Sequence, residues 1–543
     1  MNFAPVPEFV SRRSPVVGRG GMLASSQPLA TAAGLEMLRA GGSAADAAVA
    51  TAAALNVTEP TSTGIGGDCF ALYYEAATRQ VHALNGSGRA PAALSLDLLN
   101  QQGLTELPLY HAHTVTVPGA AAGWCDTVAR FGRLPLGQVL APAIELAEAG
   151  FPVAPVTSHF WERGAQNQLS RAPNGHELTI EGRAPRPGEI FRNPGLARTL
   201  RRLAEGGAQA FYQGEIAEAI VAVLAEAGGV MTAADLAAHH STWDEPIFAD
   251  YRGLRVWECP PNGQGLAALL ALNILEGFDL ASLDPLGPER WHLIVEAMRL
   301  AFADTRWFVA DPASHPAPLE ALLSKDYAAQ RRALIDPGHA VADVARGRPT
   351  AGSDTVYFSV VDGEGNACSF INSNYHGFGT GMVPKGWGFT LQNRGYGFSL
   401  DPAHPNALAP GKRPYHTIIP AMITHADSGE LFASYGVMGG YMQPQGHMQV
   451  AVGLIDDGLD PQTALDRPRF CIEDGSASLE LAVEHGLPEG TQTQLAAMGH
   501  QLKEVDGLPR ALFGRGQVIL RERETGVLWG GSDPRADGLA MTL

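Results

Sequence analysis

What this 543-residue chain has little of narrows the field first. It has only 5 cysteines, at Cys69, Cys125, Cys259, Cys368 and Cys471, spread along the chain with no C-x-x-C pair. That excludes a disulfide scaffold and a cysteine-held metal, and reads as small buried apolar residues in a reducing compartment. Charge is scarce at 17% against 45% hydrophobic residues, which excludes disorder. Positive charge is the scarcer sign, 38 Lys and Arg against 56 Asp and Glu, a net charge of −18. A surface of that sign suits neither nucleic acid nor an anionic membrane. No run approaches the ~18 apolar residues of a membrane span. The opening MNFAPVPEFVSRRSPVVGRG lacks the charged start and apolar run of a signal peptide. The expectation is a cytoplasmic protein.

What is present begins with helices. The length corresponds to about three or four domains' worth of chain. Residues 26–40 predict a helix, with Pro28 in its first turn and Gly41-Gly42 ending it. Ser43 caps a second, Ala-dense helix through Leu55, whose small residues all round predict burial. A Gly-rich turn, Thr61 to Asp68, leads into strands at Cys69–Tyr74 and near Val81–Leu84. Residues 133–330 read as amphipathic helices joined by Pro/Gly loops, including a long helix from Trp291 to Phe308. Around Ala345–Ser353 the chain is polar and Gly/Pro-interrupted, the composition of an exposed linker. Strands come next: Thr355–Asp362, a turn at Gly363–Asn366, then Ala367–Asn372, a hairpin pattern. Further strands are predicted at Ala421–Thr424, Leu431–Tyr435 and Gln517–Arg521. Helices first and strands after, without a clear boundary, point to interleaved layers.

Chemistry centres on the junction from linker to strand at Asp354-Thr355. A Thr that becomes the first residue of a chain is an amide-cleaving nucleophile, because its own α-amine, of pKa ~7.7–8, takes the hydroxyl proton. Taken alone, Thr355 also reads as an ordinary strand start. Gly436-Val-Met-Gly-Gly440 sits between a strand and a helix, where paired glycines either present N–H groups to an oxyanion or make a tight turn. Gly377-Phe-Gly-Thr-Gly381 lacks the Lys-Ser/Thr of a phosphate-binding loop, and so does Ser62–Gly67. His111-Ala-His113 and His239-His240 have no Asp/Glu/His set at ligand spacing and read as surface loops. Cys69 and Cys368 lie in apolar strands, where inert burial is expected.

In this order the features resemble the γ-glutamyltransferase family of N-terminal nucleophile hydrolases. The resemblance runs from about Gly21 to Asp537. It rests on Ser25-Ser-Gln-Pro-Leu29, Gly41-Gly-Ser-Ala-Ala-Asp-Ala-Ala48, Glu59-Pro60 with Gly64-Ile-Gly-Gly67, and Val117-Pro-Gly119. Glu296-Ala-Met-Arg-Leu-Ala-Phe-Ala-Asp304, Thr355–Asp362, Pro410-Gly-Lys-Arg-Pro414 and Ser532-Asp-Pro-Arg535 extend it. It implies an α+β fold, the four-layer αββα sandwich, and a precursor that cuts itself between Asp354 and Thr355. Residues 1–354 and 355–543 would then form a heterodimer, open to pairing into a dimer of heterodimers, that interleaves into one globular unit. Thr355 would be nucleophile and amine base, Ser373 its support, and Gly439 and Gly440 the oxyanion hole. No cofactor and no metal is implied.

The substrate positions depart from the family's glutathione-cleaving members. The Arg that holds the γ-glutamyl α-carboxylate falls at Ser87, with Arg89 two residues on. The Asp that holds the α-ammonium falls at Gly397, the neighbouring Gln at Arg394, and an Asn at Tyr375. The paired Ser are His416 and Thr417, and the lid between Phe398 and Pro410 is shorter. An ammonium without a carboxylate partner costs several kcal/mol to desolvate. A pocket that loses an Asp and gains Arg394 near Arg89 favours an anionic acyl group without an α-amine. This resembles the oxamate amidohydrolase and cephalosporin acylase branch, and implies hydrolysis of a small carboxylate-bearing amide with weak transpeptidation. A glutathione hydrolase and a non-catalytic binding relic are the alternatives.

Overall fold

The computed structural model describes residues 13–342, 344 and 354–543, so the polar stretch at 345–353 lies outside the described residues. Fourteen strands build two seven-stranded antiparallel sheets. In chain order they are β1 (Val16–Gly18), β2 (Met22–Ser25), β3 (Asp68–Glu75), β4 (Gln80–Gly86), β5 (Thr242–Asp244), β6 (Ile247–Tyr251) and β7 (Leu254–Glu258). Then come β8 (Asp354–Val361), β9 (Ala367–Tyr375), β10 (Ala421–His425), β11 (Leu431–Met438), β12 (Arg515–Arg521), β13 (Leu528–Ser532) and β14 (Leu539–Thr542). One sheet has the order β14-β2-β8-β9-β3-β4-β5, the other β1-β13-β12-β11-β10-β7-β6. Each sheet therefore mixes strands from before and after residue 354.

Side-chain alternation along the strands builds the layers. In β8, Val356, Phe358 and Val360 join one helical core, while Tyr357 and Val361 face the second sheet. In the second sheet Ala433, Tyr435 and Val437 pack under a different set of helices, and Met438 faces inward. The result is the αββα sandwich, with an apolar core in each gap. Helices α1 (Pro28–Arg39), α2 (Ala44–Thr58), α3 (Ala120–Phe131), α4 (Leu136–Ala149) and α5 (Pro194–Tyr212) cover the first sheet. Helices α6 (Gly265–Leu275), α7 (Pro288–Phe308) and α8 (Met442–Ile455) cover the second.

The predicted α2 is capped by Ser43, reciprocally with Asp46, and every one of its residues is buried. It runs to Thr58, three residues past the predicted end, and α7 starts at Pro288 rather than Trp291. The reading of 133–330 as helices and loops needs correction: β5, β6 and β7 lie inside it. Their residues alternate only over short stretches; β6 and β7 form a local hairpin, while β5 and β7 also pair with β4 and β10, far away in the sequence. The sequence patterning did not show β1, β2, β13 and β14 either; of these, β13 pairs locally with β12 and the others with distant strands.

Candidate active site

Three neighbouring strands set the site. Alternation points Thr355 of β8 and Ser373 of β9 into the gap between the sheets, and Ser373 pairs with Asp68 at the start of β3. The β8–β9 register shifts between Asp354 and Val356, a local irregularity at the expected cut. Thr355 Oγ1 lies 3.1 Å from Ser373 Oγ, and both residues are wholly buried. Gln443, at the start of α8, donates from Nε2 to Thr355 Oγ1 at 3.4 Å and accepts the Ile419 N–H at 2.9 Å. Ser373 Oγ accepts the Tyr375 N–H at 2.9 Å and Arg394 Nη2 at 3.3 Å.

Arg394 is the buried cation of the site. Its Nη1 donates to Thr417 Oγ1 at 2.6 Å, its guanidinium stacks 4.1 Å from the Tyr375 ring, and its Nε has no partner. Burial pulls its pKa down to about 10, so it stays charged at neutral pH. Tyr375 holds φ at +80°, a strained value for a residue with a side chain, which the stacking and the Ser373 bond support. No described carboxylate bonds to this guanidinium. The nearest acid, Asp68, has its oxygens occupied. Oδ1 accepts N–H groups of Gly88 at 3.0 Å, Gly119 at 3.1 Å and Gln392 at 3.0 Å, while Oδ2 accepts His416 Nε2 at 2.9 Å. Ile418 N–H points at His416 Nδ1, which places the imidazole proton on Nε2. Burial pushes Asp68 up to about 7, against the pull of Arg394, and pushes His416 well down, so that the ring is neutral.

Gly439 and Gly440 lie between β11 and α8 at φ +127° and +62°, values that favour glycine. Gln264 ties this turn to the 416–417 segment by donating to the carbonyls of Gly440 at 2.8 Å and Thr417 at 2.6 Å. A cleft of about 940 Å³ opens beside Gly439 and Tyr441, walled by Phe160, Arg163 and Lys503 among others.

Of the residues singled out in the sequence, Thr355, Ser373, Tyr375, Arg394 and Thr417 come together. His416 joins them through Asp68, and the glycine pair through α8 and Gln264. Arg89 stands apart: its charge bears on Arg413 and His239. Sequence reasoning missed Asp68, Gln264 and Gln443 as site residues. A carboxylate opening an apolar strand after two glycines was the available signal, because burial requires donors for it. The surface reading of His111-Ala-His113 fails for His113, which is buried with Nε2 2.8 Å from Gln102 Oε1. Cys69 and Cys368 are buried with thiols pushed up, as expected, while Cys125 is partly exposed.

Among the described residues, His292, Glu296 and His500 bring ligand atoms close enough for a metal. There Arg299 Nη1 already donates to Glu296 at 2.6 Å, and the two rings bond each other at 2.9 Å, so a cation would meet a guanidinium. No described helix is long and apolar enough to cross a membrane.

Residues 30–543 match the family model described as Gamma-glutamyltranspeptidase. The glutathione hydrolase-like YwrD proenzyme of Bacillus subtilis is 40% identical, over 97% of this chain and 99% of its own. The oxamate amidohydrolase proenzyme of Klebsiella pneumoniae is 34% identical, over 96% and 98%. Among solved structures, a cephalosporin acylase from Bacillus halodurans superposes with a TM-score of 0.92 at 46% identity, over 100% of this chain and 99% of that one.

Proposed function

Because the chain belongs to the gamma-glutamyltranspeptidase family of enzymes, whose relatives here are amide hydrolases and acylases, we propose that it cuts itself between Asp354 and Thr355 and then hydrolyses amides of small carboxylate-bearing acids. The freed α-amine of Thr355 takes the proton of its Oγ1 as that oxygen attacks the substrate carbonyl. Negative charge develops on the carbonyl oxygen, facing the N–H groups of Gly439 and Gly440. The amine leaves with the proton, and the acyl group stays as an ester on Thr355. Water attacks the ester and releases the acid. Ser373 and Gln443 hold the nucleophile by the contacts already described.

The observation that carries the substrate class is Arg394: a buried guanidinium one hydroxyl away from Thr355, with no described carboxylate bonded to it. A carboxylate on the acyl group supplies the missing partner. A γ-glutamyl group would also bring an ammonium, and the nearest acid, Asp68, is already committed to four donors. Names of relatives as proenzymes support the self-cut.

Replacing Thr355 with Ala should leave one uncut band on a denaturing gel and no activity. Two fragments from that variant would overturn the position of the cut. Glutaryl or oxamate-type amides should outcompete γ-glutamyl amides, and the reverse preference would reject the pocket reading.

A further inference from the structure

We infer that the buried pair of Glu59 and Arg515 holds the Gly439–Gly440 turn in position, and that the turn's grip on an oxyanion depends on this pair. This rests on the reading of the turn as the oxyanion hole. Neither the Gly439 nor the Gly440 N–H has an acceptor among the described residues, which leaves both donors for a substrate oxygen. Such donors act only when fixed where charge develops, and two glycines have no side chains to fix them. The turn is tied from outside instead. Gln264 holds its Gly440 flank by the carbonyl. On the other flank Arg515, which opens β12, pairs with Met438, the residue before Gly439.

The Arg515 side chain reaches both halves of the chain. Nη1 donates to Glu59 Oε1 at 2.8 Å, Nη2 to Ser62 Oγ at 3.2 Å and Nε to Met438 Sδ at 3.3 Å. Its guanidinium also lies 5.3 Å from the ring of Phe160 on the cleft wall. Glu59 ends α2, and its second oxygen accepts Ser26 Oγ at 2.5 Å. Arg515 is 4% exposed and Glu59 1%, so water does not compete for these bonds. The backbone is equally close. A Cβ on Gly514 would stand 2.3 Å from the Met438 carbonyl oxygen, and one on Gly439 3.3 Å from Gly514 Cα. The turn therefore leans on the start of β12, and a carboxylate from before residue 354 fixes that start. Arg515 and Glu59 are positioning residues, acting through the turn.

The test separates oxyanion binding from binding of the acyl chain. 4-Boronobutanoate carries boron where a glutaryl group has its carbonyl carbon. Thr355 Oγ1 gives a lone pair to boron, its proton passes to the α-amine, and the tetrahedral boronate sets an oxygen against the turn. Butanoate is the same acid without boron and senses only the rest of the pocket. Both are measured as competitive inhibitors of glutaryl anilide hydrolysis by the self-processed enzyme. Arg515→Met should lower kcat/KM and boronate affinity by the same factor, about 10–100-fold, with butanoate affinity kept within about threefold. Equal losses for boronate and butanoate, or no loss for the boronate, overturn the positioning role. Glu59→Gln keeps size and one acceptor oxygen without the charge. Where Arg515→Met gives no self-processed enzyme, it decides by the same outcomes, with a smaller factor expected. A wild type that neither hydrolyses the anilide nor binds the boronate more tightly than butanoate overturns the hydrolase reading instead, and this inference with it.

Discussion

On the proposed reading, one side chain, Arg394, sets the substrate class. A planar fork that donates to Ser373 and Thr417 while stacking on Tyr375 is not replaced by a point charge on a flexible stem. Arg394→Lys should therefore raise KM for a glutaryl amide by about tenfold or more, ~1.4 kcal/mol, with a smaller change for the neutral carboxamide analogue. Steady-state kinetics on the two substrates checks it. Asp68 also enters stability. Its folded pKa, about 7, lies above its ordinary 3.8, so the stability it contributes is fully present below pH 3.8 and is lost as pH rises towards 7. Asp68→Asn should thus show a flatter dependence of melting temperature on pH between 4 and 7 than wild type. Thr355 and Arg394 were legible in the sequence as residue types. That Asp68 sits across from Ser373 was not, because strand register brings them together.

Among elements, α8 bears most on the proposed site, since it starts just after the glycine turn and presents Gln443 to Thr355. One turn further, His447 Nδ1 lies 2.7 Å from Glu258 Oε1 on β7, with both residues wholly buried. Burial pushes Glu258 well up and His447 down to about 3, so this is a neutral acid–imidazole pair. His447→Leu leaves a buried carboxyl without its partner and should cost ~1–3 kcal/mol. The double change Glu258→Leu with His447→Leu should recover much of that, and denaturant melts of the two variants measure it. Close approach of the sheets is a second element-level constraint. A Cβ on Gly436 would stand 2.6 Å from the Tyr357 ring, so Gly436→Ala should destabilise by ~1–3 kcal/mol in the same melts.

For the whole molecule, interleaving governs how two fragments would behave after the proposed cut. β2, β3 and β4 come from before residue 354 and share one sheet with β8, β9 and β14 from after it. The two fragments should co-elute in size exclusion and separate only in denaturant, because backbone ladders cross between them. Buried imidazoles work against acid. His447 and His500 are held at about 3 and His416 well below its usual value, so the folded state refuses protons that unfolded imidazoles accept. Stability contributed by these rings is present above about pH 6.5 and drains away as pH falls towards 3. Between pH 7 and pH 5 this share of the urea midpoint should fall, against the opposite contribution of Asp68 and Glu258.

Local patterning determined much by itself: the capped Ala-rich helix, the hairpin that begins at Thr355, and the glycine pair. These are legible because capping, alternation and turn chemistry act within a few residues. Strands of three to five residues stayed hidden in the sequence, since so short a run carries little alternation and only pairing makes it a strand. Tertiary structure alone decided that Arg89 turns to Arg413 and His239, and that Asp68 serves His416 beside Arg394. The second outcome follows from burial, which requires donors for a carboxylate wherever the packed layers bring them.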